Sequence, residues 1–236
     1  MTDAPLVEAR GLDKSFHFTP VLRGINLAVD AGSAALIIGR NGAGKSTLLS
    51  LLAGLSSPTN GEARLFGVTS RALEPAQRRR CALVTHQSFL YPNLTARENL
   101  QFYADLYRLD SARADITGWL ERVGLTAAVD ERVRTFSRGM DQRLGLARAL
   151  MPAPDVLLMD EPFAALDSDG SAIVTGLLRD ALARGCAAVV TAHDPLPLAG
   201  MRFALYDLVR GRLEGPRAIP PRDDPATGAH PSAMAR

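Results

Sequence analysis

The stretch Gly39-Arg40-Asn41-Gly42-Ala43-Gly44-Lys45-Ser46-Thr47 decides the fold of this chain, because it has the G-x-x-x-x-G-K-[ST] spacing of a phosphate-binding loop. Its glycines permit backbone conformations in which successive amides surround one anion. The helix that follows adds its unsatisfied N-terminal amides and the positive end of its dipole. We therefore expect Lys45 to reach the β- and γ-phosphates of a nucleotide and Ser46 to ligate Mg²⁺.

Both flanks of this loop have the context that the motif requires. The apolar run Ala34–Ile38 precedes it and predicts a buried parallel strand. Residues 47–53 follow with a helical pattern, and Gly54 is placed to end that helix. A glycine-rich structural turn is the alternative interpretation, but a strand, a loop and a helix in this order favour a phosphate site.

Length and composition indicate one globular unit. The 236 residues, 47% of them hydrophobic, allow one sizeable core with room for a subdomain. A net charge of +2 gives no strong electrostatic attraction to nucleic acid or to an acidic partner. No apolar run approaches the ~18 residues of a membrane span, and Met1–Pro5 does not begin a signal peptide. Cys81 and Cys186 lack metal-ligand spacing, so we expect free buried thiols in a reducing cytosol.

Hydrophobic periodicity changes character along the chain. Residues 6–30 and 62–66 alternate as antiparallel strands do. Between about residues 88 and 150 a helical period takes over, with a capping box at Thr95 and Glu98, and this predicts a helical insertion whose aromatic residues lie in its core. Further buried strands are predicted from apolar runs at residues 81–85, 156–159 and 187–191, and a hairpin at 203–213.

The C-terminal residues 215–236 are rich in proline, arginine, alanine and aspartate and have no apolar period. Such composition cannot bury enough apolar surface to order a chain, so we expect a disordered tail after a single domain that spans residues 5–213.

Two carboxylates follow the apolar run Val156–Met159. A carboxylate at a strand end can hold Mg²⁺ in phosphate-loop nucleotidases, which suits Asp160. The adjacent Glu161 suits a general base for the attacking water. A solvated acidic turn is the alternative, and the phosphate loop upstream favours the catalytic interpretation. Gln87 follows the predicted strand 81–85, at the sheet edge where parallel α/β folds place their ligands.

The order of these motifs resembles the ATP-binding cassette (ABC) transporter ATPases. The resemblance covers residues from about 5 to 213 and rests on the phosphate loop, Gln87, Ser137–Arg143, Val156–Pro162, Ala165–Asp167 and His193. It implies an α/β fold: a P-loop NTPase (RecA-like) core with a mostly parallel sheet, an N-terminal antiparallel β subdomain and a helical insertion subdomain at about residues 88–150. It also implies an ATPase that uses ATP and Mg²⁺.

The resemblance further implies a head-to-tail dimer, either a homodimer or a pseudo-dimer, that encloses two ATP molecules. Each phosphate loop, Gly39–Thr47, would then face Ser137 and Gly139 of the other subunit, which contact the γ-phosphate in trans. Asp167 would cross the dimer interface, and His193 would contact the γ-phosphate.

Two more positions acquire a role from the resemblance. Gln87 would touch Mg²⁺ or water and sense the transmembrane partner. Phe16 matches the aromatic residue that stacks on adenine, whereas the residues alone leave adenine stacking and a core position about even.

The signature segment departs from the Leu-Ser-Gly-Gly-Gln of the family. It reads Phe136-Ser137-Arg138-Gly139-Met140, so the phosphate-contacting serine and second glycine remain while Arg138 and Met140 replace a glycine and a glutamine. A helix is predicted from Met140, and a cation just before it opposes the helix dipole. Arg138 could pair with Asp141, face a partner-bound triphosphate or face solvent.

A narrower resemblance concerns the bacterial haem-exporter ATPases of cytochrome c maturation. It rests on the signature segment together with His86–Tyr91, Glu98–Tyr103 and Asp160–Phe163. It implies an energy-coupling subunit at the cytoplasmic face of the cell membrane, whose transmembrane permease is a separate chain.

Three other functions compete with haem export. They are the ATPase of a multidrug or lipid exporter, a soluble cassette protein that acts on nucleic acid or ribosomes, and a small-molecule kinase. The chain has one cassette, and Arg78–Arg80 is too short for a nucleic-acid stripe, so no nucleic-acid partner is expected. The kinase is disfavoured because no acceptor pocket is recognisable.

Overall fold

A computed structural model describes residues 4–110, 114–164, 166–193 and 203–217 of the chain. The strands are β1 (Val7–Phe16), β2 (Thr19–Val29), β3 (Ala34–Ile38), β4 (Asn60–Leu65), β5 (Val68–Thr69), β6 (Cys81–Val84), β7 (Val156–Asp160), β8 (Ala187–Ala192), β9 (Phe203–Val209) and β10 (Arg212–Arg217). The α-helices are α1 (Lys45–Leu52), α2 (Pro75–Arg78), α3 (Ala96–Tyr107), α4 (Ile116–Arg122), α5 (Arg138–Leu150) and α6 (Ser168–Ala183).

The central sheet has six strands in the order β10-β9-β3-β8-β7-β6. All its neighbouring strands are parallel except the hairpin pair β9 and β10. Every residue of β3 and of β8 is buried, which explains why their sequences are continuously apolar rather than alternating. The predicted α/β core with a mostly parallel sheet is confirmed.

The second sheet is antiparallel and has the order β2-β1-β4-β5. Side chains of β1, β2 and β4 pack with α1 against one face of the central sheet. The opposite face packs against α5, α6 and the helical insertion. The central strands serve both cores, since Leu36 faces the insertion side while Ala35 and Ile37 face the α1 side. The antiparallel β subdomain was predicted from the sequence and is confirmed.

The helical insertion lies between β6 and β7, as predicted, although its first helix begins only at Ala96. Thr95 starts this helix: its Oγ1 accepts a hydrogen bond from the Glu98 amide at 3.1 Å, and Glu98 Oε2 accepts one from the Thr95 amide at 2.8 Å. Tyr103 and Trp119 are buried in the core, which confirms their predicted structural role. None of the helices formed by the described residues combines the length and apolar character that a membrane span needs.

Two details differ from the sequence-based expectation. The helix α2 was not predicted; Glu74 and Gln77 form its capping box, with Pro75 at the first helical position. Strand β10 continues through Arg217, so the expected disordered tail does not begin at Gly215. Arg217 extends the hairpin by donating to both carboxylate oxygens of Asp207, at 2.6 and 3.1 Å, and this hydrogen bonding lowers the pKa of Asp207. Residues 218–236 lie outside the described part of the chain.

Candidate functional site

The phosphate loop joins the end of β3 to the start of α1, and its glycines are sterically required. Gly42 and Gly44 have φ angles of 77° and 105°, in the left-handed region that side chains disfavour. At Gly39, a Cβ atom would lie 2.9 Å from the carbonyl oxygen of Leu208 on β9. The loop is therefore held closely against β9 while its backbone takes conformations that only glycine adopts readily.

Lys45 is buried at the first position of α1, with 5% of its surface exposed. Its Nζ donates to the carbonyl oxygens of Gly39 at 2.7 Å and Arg40 at 3.2 Å, so the amine folds back across the loop. The same Nζ lies 3.1 Å from Glu161 Oε1. The amine is thus held between the loop backbone and the acidic end of β7.

The predicted acidic pair sits at the carboxyl end of β7. Asp160 Oδ1 accepts a hydrogen bond of 2.7 Å from the hydroxyl of Thr191 on β8. Glu161 has a left-handed backbone with φ of 49°, and its amide donates to the carbonyl and hydroxyl oxygens of Thr191, each at 3.1 Å. His193 Nε2 lies 3.2 Å from Glu161 Oε1, the oxygen that also contacts Lys45. The structure therefore brings together Lys45, Glu161 and His193.

A cleft of about 250 Å³ lies between the carboxyl end of β7 and the start of α5. Ser46 and Asp160 line it from the core, together with Glu161. Gln87, which follows β6, lines the same cleft and is exposed. The four side chains that were predicted from three separate segments thus face one space.

The signature segment starts α5, two residues before the predicted helix start. Ser137 is its N-cap and accepts a hydrogen bond from the Met140 amide at 3.2 Å. Arg138 is exposed at the first helical position and forms no ion pair with any described residue. Of the three alternatives for Arg138, the pair with Asp141 is not formed: Asp141 Oδ1 instead accepts a hydrogen bond of 3.0 Å from the hydroxyl of Ser88.

Phe16 and Asp167 lie at element ends. Phe16 ends β1 with 47% of its surface exposed, which excludes the core alternative, and Lys14 Nζ lies 4.7 Å from its ring centroid. Asp167 is the N-cap of α6 and accepts from the Gly170 amide at 2.8 Å. Among the described residues, no hydrogen bond or ion pair joins Ser137, Gly139 or Asp167 to the phosphate loop. Ala165, part of the motif that contains Asp167, lies outside the described residues.

Sequence reasoning missed three polar side chains that connect this site. Thr191 was counted as one more residue of a buried strand; its hydroxyl, facing a strand that ends in two carboxylates, was the available signal. Ser88 reaches Asp141 on α5, and Gln142 Nε2 donates to the Pro162 carbonyl at 2.5 Å. These two contacts join segments that are distant in the chain, so no local pattern indicates them.

Comparison with known proteins gives consistent matches to this architecture. A family profile described as ABC transporter matches residues 22–164. The cytochrome c biogenesis ATP-binding export protein CcmA of Cupriavidus pinatubonensis is 34% identical over 217 residues, covering 92% of each chain. The Fe(3+) ions import ATP-binding protein FbpC 1 of Rhodococcus jostii is 38% identical over 192 residues, which is 80% of this chain and 55% of that protein.

A solved structure has a similar fold. It is a dimeric ATP-binding cassette in a post-hydrolysis state bound to ADP and Pi. The match has a TM-score of 0.76 and 26% sequence identity, and it covers 90% of this chain and 100% of that one. The order of motifs, the two-sheet fold and the phosphate loop agree with these matches. The chain therefore belongs to the ABC transporter family and is one of its ATP-hydrolysing subunits.

Proposed function

We propose that this chain couples ATP-driven dimerisation to a membrane permease on a separate chain, in an exporter of haem for cytochrome c maturation. The observation that carries the ATPase part is the placement of Lys45 and His193 beside one carboxylate oxygen of Glu161, next to the phosphate loop. Subunits of this kind act at the cytoplasmic face of the cell membrane, as a homodimer or pseudo-dimer.

The described residues fit Mg²⁺ and a nucleoside triphosphate. Asp160 Oδ1 is engaged by Thr191, whereas Oδ2 accepts no hydrogen bond from any described residue and belongs to a side chain that lines the cleft with the hydroxyl-bearing Ser46. Carboxylate and hydroxyl oxygens are hard ligands of the kind that Mg²⁺ takes. Ser46, Asp160 and Gln87 are the residues that would hold the ion, which supplies charge neutralisation on the phosphates.

The other side chains take their roles from position and charge. Lys45 neutralises the β- and γ-phosphates, while the loop amides of Gly39–Thr47 surround them. Glu161 accepts the proton of the attacking water, because its carboxylate lines the cleft together with Ser46 and Asp160. His193 contacts the γ-phosphate from the end of β8.

Contacts from a second subunit would complete the site. Ser137 and Gly139 would reach the γ-phosphate in trans, and Asp167 would lie at the dimer interface. Phe16 would stack on adenine, which its exposed ring permits.

The choice of haem export over iron import rests on local sequence and on how much of this chain each relative matches. The cytochrome c biogenesis export protein aligns with 92% of this chain and the Fe(3+) ions import protein FbpC 1 with 80% of it, although the identity to the second is slightly higher. The segment His86–Tyr91, whose first three residues line the cleft, and the segment Glu98–Tyr103 add to the support. Multidrug or lipid export is the remaining transport alternative.

Co-purification of the tagged protein from detergent-solubilised membranes tests this proposal. A membrane subunit that co-purifies and stimulates phosphate release supports the transporter function, and stimulation that responds to haem supports the export of haem. Association with RNA or ribosomes in place of a membrane protein would support the soluble alternative and overturn the proposal. ATPase activity that responds to another cargo, with the same membrane partner, would overturn the haem assignment alone.

A further inference from the structure

Thr191 places a hydroxyl where the pattern of its strand calls for an apolar side chain. On β8, Ala187 and Val189 pack into the core on the α1 side of the sheet, and Thr191 is the next residue on that face. It is 0% exposed. Because a buried hydroxyl is unfavourable unless it is hydrogen-bonded, the partners of this one identify what it does.

The strand register puts Thr191 between the two halves of the nucleotide site. It pairs with Asp160, the last residue of β7, on one side. On the other side it pairs with Ile37 of β3, the strand that leads into the phosphate loop. Residue 191 therefore pairs directly with the first residue of the acidic pair, and its partner on β3 lies two residues before the start of the loop.

The hydroxyl uses both its donor and its acceptor capacity on the acidic pair. It donates to Asp160 Oδ1 at 2.7 Å, and since a hydroxyl carries one hydrogen, the Met159 carbonyl at 3.4 Å is at most a minor acceptor. It accepts from the Glu161 amide at 3.1 Å. One buried atom thus holds the Asp160 carboxylate by one oxygen, leaving the other available, and also holds the backbone of Glu161.

The hold on Glu161 matters because its backbone is unusual. A φ of 49° is uncommon for a residue other than glycine and persists only where surrounding contacts fix it. The Glu161 amide meets the hydroxyl and the carbonyl oxygen of Thr191, so a single residue of β8 provides both acceptors. The side chain of Glu161 is directed from this fixed backbone to Lys45 and His193.

We propose that Thr191 is a positioning residue for the nucleotide site: it orients Asp160 for Mg²⁺ and Glu161 for the attacking water. The inference rests on the proposed function, which gives those two carboxylates their roles. Residues that orient metal ligands through a hydrogen bond typically change metal affinity 10- to 100-fold when they are replaced. Thr191 contacts neither phosphate nor metal in this scheme and acts only through Asp160 and Glu161.

The test is direct measurement of metal affinity on the full chain. Mn²⁺ serves as the paramagnetic probe of the Mg²⁺ site, and its binding is followed by EPR at saturating non-hydrolysable ATP analogue. Thr191→Val keeps the shape and removes the hydroxyl, and we expect it to raise the Kd for Mn²⁺ about tenfold. Thr191→Ser restores the hydroxyl, and we expect a Kd within about twofold of wild type. Affinity for the analogue in EDTA is expected to change by less than about twofold in both variants, because the loop is untouched.

Thr95→Val provides the matched control, since it removes a threonine hydroxyl with a structural hydrogen bond in the helical insertion. It should leave Mn²⁺ affinity unchanged. A Thr191→Val protein with wild-type Mn²⁺ affinity, or a Thr191→Ser protein as impaired as Thr191→Val, overturns the role of Thr191. If Thr191→Val does not fold, Thr191→Cys, a weaker hydrogen-bond donor, must show the metal-specific loss, and wild-type Mn²⁺ affinity in that variant overturns the role.

A different outcome of the same measurements would overturn the proposed function. A wild-type protein that binds the analogue but holds no Mn²⁺ with it overturns the use of a divalent metal, and the role of Thr191 with it. A wild-type protein that holds Mn²⁺ normally, together with an unaffected Thr191→Val, overturns only the role of Thr191.

Discussion

At the scale of single residues, one carboxylate oxygen organises the site. Glu161 Oε1 lies 3.1 Å from Lys45 Nζ and 3.2 Å from His193 Nε2. Lys45 is almost fully buried, so its charge acts in surroundings where water screens it weakly. The fold therefore brings the Lys45 amine and the His193 imidazole to one oxygen of Glu161 within a single chain.

Replacement of Lys45 by alanine is expected to abolish ATP hydrolysis and to weaken nucleotide binding strongly. The change removes the amine that the loop holds through Gly39 and Arg40 and leaves Glu161 without its buried partner. Phosphate release and nucleotide affinity measure the effect. Arg97→Ala is the control, because its pair with Asp130 at 3.5 Å is exposed and contributes little. Wild-type hydrolysis by the Lys45 variant would remove the loop from the mechanism.

Both cysteines are expected to be unreactive in the folded protein. Burial raises the pKa of Cys81 and of Cys186 to about 12, so very little thiolate exists at pH 8. Reaction with a thiol reagent at pH 8 should accelerate by more than about tenfold on unfolding in urea, as the pKa returns towards ~8.5. The raised pKa of each thiol also makes the free energy of unfolding depend on pH. The contribution of the protonated thiols to stability is complete below the pKa of the unfolded chain and is lost as the pH rises towards 12. Rapid modification of the native protein would contradict the prediction.

At the scale of secondary-structure elements, the first turn of α5 joins three parts of the molecule. Ser137 caps the helix, Asp141 accepts from Ser88 after β6, and Gln142 donates to the carbonyl of Pro162 just after the acidic pair. A displacement of α5 would therefore also shift the segment around Gln87 and the end of β7. Arg138, at the same helix start, has no ion-pair partner among the described side chains and opposes the helix dipole.

A graded set of substitutions at this helix start is expected to separate phosphate contact from helix capping. Ser137→Ala and Gly139→Asp should each reduce the ATPase rate by more than Arg138→Ala, whose loss should stay below about tenfold, or ~1.4 kcal/mol. The reason is that Ser137 and Gly139 are the residues that we propose to contact the γ-phosphate, whereas Arg138 is exposed. Steady-state rates at saturating ATP decide the order. An Arg138 variant that is the most damaged would place the arginine in the active site.

The capping control for this set is Thr95→Ala, which removes the N-cap of α3. Loss of either cap should lower stability by about 1 kcal/mol, or roughly 2–4 °C in Tm for a chain of this size. Only Ser137→Ala should also lose ATPase activity. Equal activity losses in the two cap variants would show that Ser137 acts through helix stability alone.

Elements with a strong local signal were predictable from the sequence. The phosphate loop is fixed by the spacing of its glycines and Lys45, and the buried strands by continuous apolar runs. The acidic pair was predicted because two carboxylates follow an apolar run in a chain that also contains a phosphate loop. In contrast, α2 has only four residues, Pro75–Arg78, too few for a helical period to show.

Contacts between distant segments could not be predicted in the same way. The hydrogen bond from Ser88 to Asp141 spans 53 residues, and the one from Thr191 to Asp160 spans 31. Both depend on the register of packed elements, which the chain sets only when it folds. One alternative for Arg138, a pair with Asp141, could not be decided from the sequence for this reason: the two residues are near in sequence, but the Asp141 carboxylate accepts from Ser88.

At the scale of the whole molecule, the described chain holds the phosphate loop and the signature segment without a hydrogen bond or an ion pair between them. A solved relative of the same fold is a dimer bound to ADP and Pi, which is consistent with a site that two subunits share. Oligomeric state should therefore depend on the nucleotide and on whether it is hydrolysed.

Glu161→Gln is expected to bind ATP, to stop turnover and to accumulate as a dimer in the presence of Mg-ATP. The amide keeps the size of the side chain but cannot accept the proton of the attacking water. Size-exclusion chromatography with and without Mg-ATP measures the shift, and phosphate release measures turnover. Glu62→Gln is the control, because Glu62 pairs with Arg64 on the antiparallel sheet and should leave both readouts unchanged. Normal hydrolysis by the Glu161 variant would transfer the role of base elsewhere.

The central sheet divides the interior into two cores, and this has a consequence for hydrogen exchange with solvent. Every residue of β3 and β8 is buried, and alternate side chains such as Leu36 and Ile37 belong to opposite cores. An opening of the helical insertion exposes one face of these strands and leaves the other covered. Their backbone amides therefore exchange only when both cores open, so they report global unfolding, whereas the amides of α3 and α4 exchange through smaller, local openings.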